Sequence, residues 1–172
     1  MTADDAMARV SALISGFEFW RGYLRRNRFE DDIAALIASS PEACFAAAMP
    51  ELGSSVATRR AAAAVILGRL VEVTQERFAT EVEHELMSAL ATEQSINVAQ
   101  ELARALGRVW IALDKNVDFA AMADDRRAAY RLTAAHNLAL TGDSPEEIAI
   151  MKRLANDSVP RVRWWARFGL DV

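Results

Sequence analysis

Few residues in this sequence have the type and spacing that catalysis or metal binding requires. The two histidines are His84 and His136, and only His84 lies in a recognisable motif, Glu-Val-Glu-His at 81–84. A glutamate three residues before a histidine shares its helix face, as in di-iron carboxylate proteins, but those sites need a second such motif. Thr133 occupies the corresponding position before His136. The sequence therefore predicts no metal site and no bound cofactor.

Nucleophilic chemistry has equally little support. The single cysteine, Cys44, lies in the apolar segment PEACFAAAM at 41–49, which favours a buried structural thiol. The chain contains no Gly-x-Ser-x-Gly, no glycine-rich phosphate loop and no Cys-x-x-Cys motif. One cysteine forms no internal disulfide, and the acidic N-terminus lacks the features of a signal peptide. We therefore expect a cytoplasmic location.

The elements that carry these residues are predicted to be helices, because apolar residues recur at intervals of three and four along most of the chain. No segment alternates apolar and polar residues over the length of a strand, and no Asn-Gly or Asp-Gly turn is present. We expect an all-α fold in a single domain spanning 1–172. The predicted helices lie near 3–14, 17–26, 29–38, 41–49, 55–73, 76–92, 96–113, 125–140, 145–155 and 159–170, with a short turn near 117–122.

Two helix starts have a clear physical cause. Ser144 precedes Pro145, and Glu147 completes a capping box, in which a side chain at each end of the first turn bonds the other's backbone N–H. Ser40 and Pro41 repeat the arrangement of a capping residue followed by proline. Both features predict helices that begin at the proline.

The composition excludes several classes of protein. Hydrophobic residues make up 52% of the chain and charged residues 26%, which excludes a disordered chain. The apolar runs are too short to span a bilayer, so we expect no membrane association. A net charge of −4 argues against broad, non-specific nucleic-acid binding. Only Lys115 and Lys152 are lysines among 20 basic residues, a bias typical of a GC-rich genome, and we expect a bacterial source.

Internal similarity is the most informative feature of the sequence. The last frame begins at Asp157 and has an arginine six residues later and a leucine thirteen residues later. A frame 32 residues earlier, at Asp125, has the same pattern, and frames at Ser54 and Glu93 match in part. The matching positions are Val162, Arg163, Ala166 and Leu170; Tyr130, Arg131, Ala134 and Leu138; Arg59, Arg60, Ala63 and Leu67; and Val98, Ala99, Leu102 and Leu106.

These offsets have a physical meaning. Residues four apart form one ridge of a helix, and an alanine in that ridge lets a neighbouring helix approach closely. The aspartate can cap the helix, and the arginine can reach an acidic turn in the same or the adjacent repeat. The frame at Glu93 lacks both the aspartate and the arginine, which leaves its register open.

The pattern Asp, Val-Arg, Ala, Leu resembles the second helix of HEAT repeats and of related armadillo-like repeats. The resemblance covers 41–172, is closest at 146–170, and leaves 1–40 as N-terminal helices without a clear repeat. It implies a short right-handed α-solenoid of antiparallel helix pairs, and the alternative is an irregular helical bundle. Such solenoids mostly bind other macromolecules. The resemblance therefore implies a non-enzymatic protein-binding module: an adaptor, a regulatory subunit or an immunity-type inhibitor.

The alternative function is nucleic-acid binding. Some HEAT-like bacterial proteins are DNA glycosylases for alkylated bases, with tryptophans and a carboxylate in an arginine-bearing groove. Trp110 and Asp114, one helical turn apart, are similar to part of that site. The resemblance implies that Asp114 would stabilise positive charge developing on the sugar and that Trp110 would pack against the base. A core position for Trp110 and a helix-end position for Asp114 is the competing interpretation.

Two segments combine aromatic residues with arginines. In FEFWRGYLRRNR at 17–28, the mixture suits stacking on nucleic-acid bases, but Phe17, Trp20 and Leu24 also form an apolar stripe at helical spacing. In the C-terminal helix, Val162, Trp165, Ala166, Gly169 and Leu170 form a face expected to pack on 145–155. A second stripe, which would be covered in a longer solenoid, contains Arg161, Trp164 and Phe168.

The second stripe has the composition of an interface hot spot. We expect it to meet a partner protein or, as a homodimer, a second copy of the chain; packing under the N-terminal helices is the alternative. Arg126 and Arg127 are further candidate interaction residues.

Overall fold

The computed structural model describes residues 2–18 and 23–171, with side chains at 2–18 and 29–171. The described residues form helices and no strand, which confirms the all-α prediction. Short 3-10 helices lie at Met49–Gly53 and Gln75–Phe78. The α-helices are α1 (Ala3–Ser15), α2 (Tyr23–Ser39), α3 (Pro41–Ala48), α4 (Ala57–Thr74), α5 (Ala79–Thr92), α6 (Ile96–Ala112), α7 (Phe119–Ala123), α8 (Ala128–Thr141), α9 (Pro145–Leu154) and α10 (Pro160–Gly169).

Most predicted helices are present within a few residues of the expected bounds. The prediction of separate helices at 17–26 and 29–38 was wrong, because α2 runs without a break from Tyr23 to Ser39. The capping box at α9 is confirmed: the Glu147 N–H donates to Ser144 Oγ at 3.2 Å, and the Ser144 N–H donates to the Glu147 carboxylate at 3.1 Å. At α3 the helix begins at Pro41 as predicted, but the Ser40 side chain caps no N–H group.

Four helices contact one another in chain order: α4 contacts α6, α6 contacts α8, and α8 contacts α10. Each also contacts the helix directly before it. The predicted ridge residues Leu67, Leu106 and Leu138 are buried along this series. Close approach of these helices depends on small residues, since a Cβ at Gly68 of α4 would lie 2.8 Å from the Cα of Ala105 in α6.

The N-terminal helices pack on the start of this series. Both α1 and α2 contact α3 and α4. Phe17, from the segment at 17–28, is buried and packs edge-to-face on Phe29, with ring centroids 5.2 Å apart. The rest of that segment's aromatic and arginine side chains lie outside the described residues: Phe19, Trp20, Arg21, Tyr23, Arg25, Arg26 and Arg28.

Within the described part of the chain, the structure contains no helix with both the length and the apolar character needed to cross a membrane.

Cys44 is fully buried, as predicted. Burial raises the pKa of the Cys44 thiol to about 11. We expect this thiol in the native protein at pH 8 to react with a disulfide reagent at least roughly a hundredfold more slowly than after unfolding in urea, because thiolate is scarce and shielded. Absorbance of the released thiolate measures the rate. Similar rates in the two states would contradict the burial of this side chain.

Candidate functional site

The structure does not bring Trp110 and Asp114 together in an open groove. The Trp110 side chain is only 5% exposed, packs against Phe119 and donates its indole N–H to Glu83 at 2.7 Å. Asp114 is exposed, in a turn after α6, with a φ of 48°. A tryptophan held in the core offers no face to a flipped base. The geometry therefore gives no support to the base-excision alternative and matches the competing interpretation.

The histidines lie in unrelated environments. His84 is on the exposed surface of α5, whereas His136 is buried in α8 and packs against Trp165, with ring centroids 4.3 Å apart. Among the described residues, no three His, Cys, Asp or Glu side chains cluster in a way that could hold a metal ion.

The arginines of the repeated pattern share one local contact. Arg60, Arg131 and Arg163 each donate Nη1 to the backbone carbonyl six residues earlier, at 2.9, 2.9 and 2.7 Å. This bond ties each side chain to the loop that precedes its own helix. It fixes the direction in which the remaining guanidinium edge, formed by Nε and Nη2, points.

In two of the three cases that edge binds the acidic turn before the next contacting helix. Arg60 donates Nε and Nη2 to Glu93 at 2.8 and 2.9 Å, across 33 residues. Arg131 donates the same pair to Asp157 at 2.6 and 3.2 Å, across 26 residues. We call Arg60 and Arg131 the bridging arginines, because each connects its own helix to the turn before the next contacting helix. The prediction that these arginines reach an acidic turn is confirmed.

The bridging contacts shift the acidity of their carboxylates. Burial alone raises the pKa of Asp157, but hydrogen bonds from Arg131 and from the Val159 N–H outweigh burial and lower the pKa below its ordinary value. Glu93 follows the same pattern: burial raises its pKa, and bonds from Arg60 and nearby backbone N–H groups lower it overall. Both carboxylates are therefore held in the charged form.

This shift predicts how stability depends on pH. Because the pKa of Asp157 is lower in the folded protein, its contribution to stability is present above the unfolded-state pKa of about 4 and is lost as the pH falls through the folded-state pKa. We expect the difference in urea midpoint between wild type and Asp157→Asn to be full at pH 6 and to shrink below about pH 4. A difference that stays constant down to pH 2 would contradict the pairing.

No bridging arginine connects α6 to the turn before α8 among the described residues. Ala99 occupies the position of the arginine, and Asp125 binds Arg127 instead, with Arg127 Nε and Nη2 donating at 2.9 and 2.6 Å. These hydrogen bonds lower the pKa of Asp125 to about 2. The Arg127 guanidinium also lies 3.8 Å from the centroid of the Tyr130 ring. Arg127, a predicted interaction residue, is therefore already occupied within the chain.

Arg126 lies in a different setting from its neighbour. Its side chain is exposed, and its backbone carbonyl accepts a hydrogen bond from Arg131 at 2.9 Å. Arg126 and Arg127 line a cleft of about 320 Å³ beside Ala99 and Glu93. The structure thus places these two arginines apart from the cleft that Trp164 and Phe168 line.

The outer side of α10 combines exposed aromatic rings with arginines. Trp164 and Phe168 are both 52% exposed, and their rings stack at 5.5 Å with an interplanar angle of 12°. They line a cleft of about 410 Å³ together with Pro160, Arg163 and Arg167. We call Arg161, Arg163, Trp164, Arg167 and Phe168 the α10 face. No described residue covers the two rings fully, so the predicted alternative of complete internal packing does not apply to them.

The inner side of α10 forms part of the core. Val162, Trp165 and Ala166 are buried, and α10 contacts both α9, as predicted, and α8. A Cβ at Gly169 would lie 2.6 Å from the Cα of Ala139 in α8. The helix that carries the Trp164 and Phe168 rings is therefore held in place by core packing on its opposite side.

None of the arginines of the α10 face forms a hydrogen bond or an ion pair with a carboxylate among the described residues, although the charge of Arg163 helps to lower the pKa of Asp157. Arg163 donates to the carbonyls of Asp157 and Ser158 at 2.7 and 3.0 Å, and Arg167 donates to the carbonyl of Ala155 at 3.2 Å. Arg161 is exposed. Carbonyl contacts orient a guanidinium without neutralising it, so the face keeps a positive charge.

Two features of this site were not predicted from the sequence. Glu93 has the role of the aspartate in its frame, since it accepts both hydrogen bonds from Arg60, although the repeated pattern has aspartate at this position. The repeat predicts a structural contact for Arg163, and in the structure only its Nη1 atom makes that contact with the preceding loop. The sign that could have been noticed is the repeat itself, since Arg163 stands 32 residues after Arg131.

No protein-family model matches the chain, and comparisons with curated proteins and with solved structures found no match. What the protein does must therefore be inferred from its own residues.

Proposed function

We propose that the chain is a protein-binding module that docks a partner protein on the α10 face. The observation that carries this proposal is the stacked, half-exposed pair Trp164 and Phe168, set among arginines whose hydrogen bonds within the described chain go to backbone carbonyls and not to carboxylates. Tryptophan and arginine in such a setting are the residue types most enriched in interface hot spots. Exposed aromatic surface on a rigid helix costs little conformational entropy when a partner covers it.

A HEAT-like solenoid is the arrangement we propose for the helices. Its support is the contact order of α4, α6, α8 and α10, with each helix also contacting the one before it. The bridging arginines add to that support, because Arg60 and Arg131 make the same two kinds of contact in different helix pairs. In such a stack each helix pair packs on its neighbour, and the outer side of α10 offers a partner a surface of the same kind as the side of α8 that contacts α10.

An acidic protein is a better partner for this face than a second copy. A two-fold symmetric dimer through α10 would place Arg161, Arg163 and Arg167 near their own copies, and like charges across an interface are unfavourable. We expect wild type and Trp164→Ala to elute alike, as monomers, in gel filtration at the highest soluble concentration. A dimer that appears with concentration and is lost in Trp164→Ala would instead assign the face to self-association.

The test is photocrosslinking from the face itself in cells of the source organism. A p-benzoyl-phenylalanine would replace Phe168, and in a matched control it would replace Ile111, which is 73% exposed on α6. We expect a discrete, protease-sensitive adduct with one other protein from position 168 and none from position 111.

Three results would contradict the proposal. These are an adduct removed by nuclease, an adduct with a second copy of the chain, and equal labelling from positions 168 and 111. A nuclease-sensitive adduct would favour nucleic acid, whose bases also stack on aromatic rings beside arginines.

A further inference from the structure

We infer that the partner segment bound by the α10 face carries an aspartate or glutamate in the turn just before a helix, and that Arg163 binds this carboxylate through Nε and Nη2. The inference rests on the proposed function, because it specifies the chemistry of the partner at the same face. In effect, the partner supplies the acidic turn that Glu93 and Asp157 supply inside the chain.

The internal contacts define what the bridging arginines recognise. Glu93 accepts the Ser95 N–H at 2.7 Å, and Asp157 accepts the Val159 N–H at 2.8 Å, in each case two residues further along the turn. Ser95 and Val159 are the residues immediately before α6 and α10. Each bridging arginine therefore binds a carboxylate that is already fixed at the start of a helix. Two parallel N–H groups match the two carboxylate oxygens, which makes the contact both strong and directional.

Arg163 is held in the same way on its inner side. Its Nη1 donates to the carbonyls of Asp157 and Ser158, as Arg131 Nη1 donates to those of Asp125 and Arg126. The Arg163 Nε and Nη2 atoms make no hydrogen bond to another described residue, and the side chain lines the cleft on the α10 face. The guanidinium is thus oriented in advance for a bidentate contact, which lowers the entropy lost on binding.

The neighbours of Arg163 occupy the positions that receive a helix elsewhere in the chain. On α8, His136 packs on Trp165 and Ala139 lies against Gly169, so α10 packs against this side of α8. Adding 32 to the residue numbers on this side of α8 gives residues of the α10 face. Arg131, Leu132, Ala135 and His136 correspond in this way to Arg163, Trp164, Arg167 and Phe168. The α10 face is therefore suited to an incoming helix that has apolar side chains next to its acidic turn.

Charge favours a protein carboxylate over a nucleic-acid phosphate. A phosphate can also bind an arginine fork. However, the chain has a net charge of −4, which repels a polyanion at long range, whereas a single acidic turn feels mainly the local arginines. Both internal examples of this arginine geometry bind carboxylates.

The test uses the full chain, labelled with nitrogen-15, and two synthetic helical peptides. One peptide begins Asn-Asp-Ser-Val-Pro, as residues 156–160 do, and continues as a helix with leucines on one face. The other differs only by asparagine in place of the aspartate. The measurement is the chemical shift of the Arg163 Nε–H group, assigned from its loss in Arg163→Gln. We expect the acidic peptide to move this signal and to bind roughly tenfold more tightly than its amide counterpart.

Two protein variants complete the design. Arg163→Gln should remove the preference for the acidic peptide, while Arg153→Gln, which removes the same charge from α9 outside the α10 face, should keep it. Equal affinity for the two peptides, no binding of either, or tighter binding of a single-stranded oligonucleotide would overturn the inference. The peptide comparison on wild-type protein stands even if Arg163→Gln folds poorly.

The two proposals fail in different ways. A crosslinked protein whose binding is insensitive to Arg163→Gln would leave the proposed function intact and overturn the inference. A nuclease-sensitive adduct at position 168, or no adduct there, would overturn the proposed function, and the inference that rests on it would fall with it.

Discussion

Replacing Arg131 by glutamine is expected to lower the free energy of unfolding by about 3 kcal/mol. The Arg131 guanidinium donates to the Asp157 carboxylate and to two backbone carbonyls, and the Asp157 side chain is only 7% exposed. Glutamine removes the positive charge and most of the donors, which leaves a largely buried carboxylate without its partner. Urea unfolding followed by circular dichroism at pH 7 measures the change.

Arg153 provides the matched control. It forms an ion pair with Asp124 at 3.0 Å, but both side chains are more than half exposed. Exposed pairs contribute little because water screens them, so Arg153→Gln should change stability by less than about 1 kcal/mol. Equal losses for the two variants would mean that the bridging contact has no special role.

Replacing Gly68 by alanine is expected to destabilise the protein by about 2 kcal/mol. In an ordinary helix interior this change gains up to about 1 kcal/mol, because alanine is the better helix former. At Gly68 the new Cβ would lie 2.8 Å from the Cα and 3.0 Å from the Cβ of Ala105. The obstacle is backbone, so α4 and α6 must move apart, and the shift is transmitted to the buried leucines beside them. Thermal unfolding compares the variant with wild type.

Gly53 supplies the opposite expectation. A Cβ at Gly53, in the 3-10 helix after α3, would have no atom within 4 Å, and its φ is not in the left-handed region. Gly53→Ala should therefore be neutral or slightly stabilising. Stabilisation by Gly68→Ala would show that α4 and α6 are not in close contact.

The helices and their main buried residues could be predicted from the sequence. Apolar residues at intervals of three and four identify the elements, and the recurring frame identifies Leu67, Leu106 and Leu138 as core. The frame also predicts the arginines that reach acidic turns, since an arginine six residues into it lies one helical turn above the loop. These are local or periodic properties, which a single sequence records directly.

The rest depends on contacts between distant residues. Trp110 and Asp114 have the spacing of a site, yet in the fold the indole packs on Phe119 and donates its N–H to Glu83, which holds it in the core. The sequence shows that Ala99 stands where the other frames have an arginine. It does not show that Arg127 binds Asp125 instead, because that contact depends on the direction of the Arg127 side chain. Sequence spacing alone does not give that direction.

The two edges of the Arg163 guanidinium have different surroundings. One edge makes the structural contact that the repeat predicts. The Arg163 side chain also lines the cleft beside Trp164 and Phe168, and its Nε and Nη2 atoms bind no other described residue. A residue that matches a structural pattern can therefore also be the one that a partner recognises.

The most direct measurement of the central claim is a binding titration of this chain with the partner protein that crosslinks to position 168. Isothermal titration calorimetry would compare wild type with the pair Trp164→Ala and Phe168→Ala, with Ile111→Ala as the control for loss of exposed apolar surface. If the α10 face is the docking surface, the pair should weaken binding by at least about thirtyfold, the loss typical of hot-spot residues, and the control should leave the Kd unchanged. An unchanged Kd for a well-folded Trp164→Ala and Phe168→Ala variant would contradict the account.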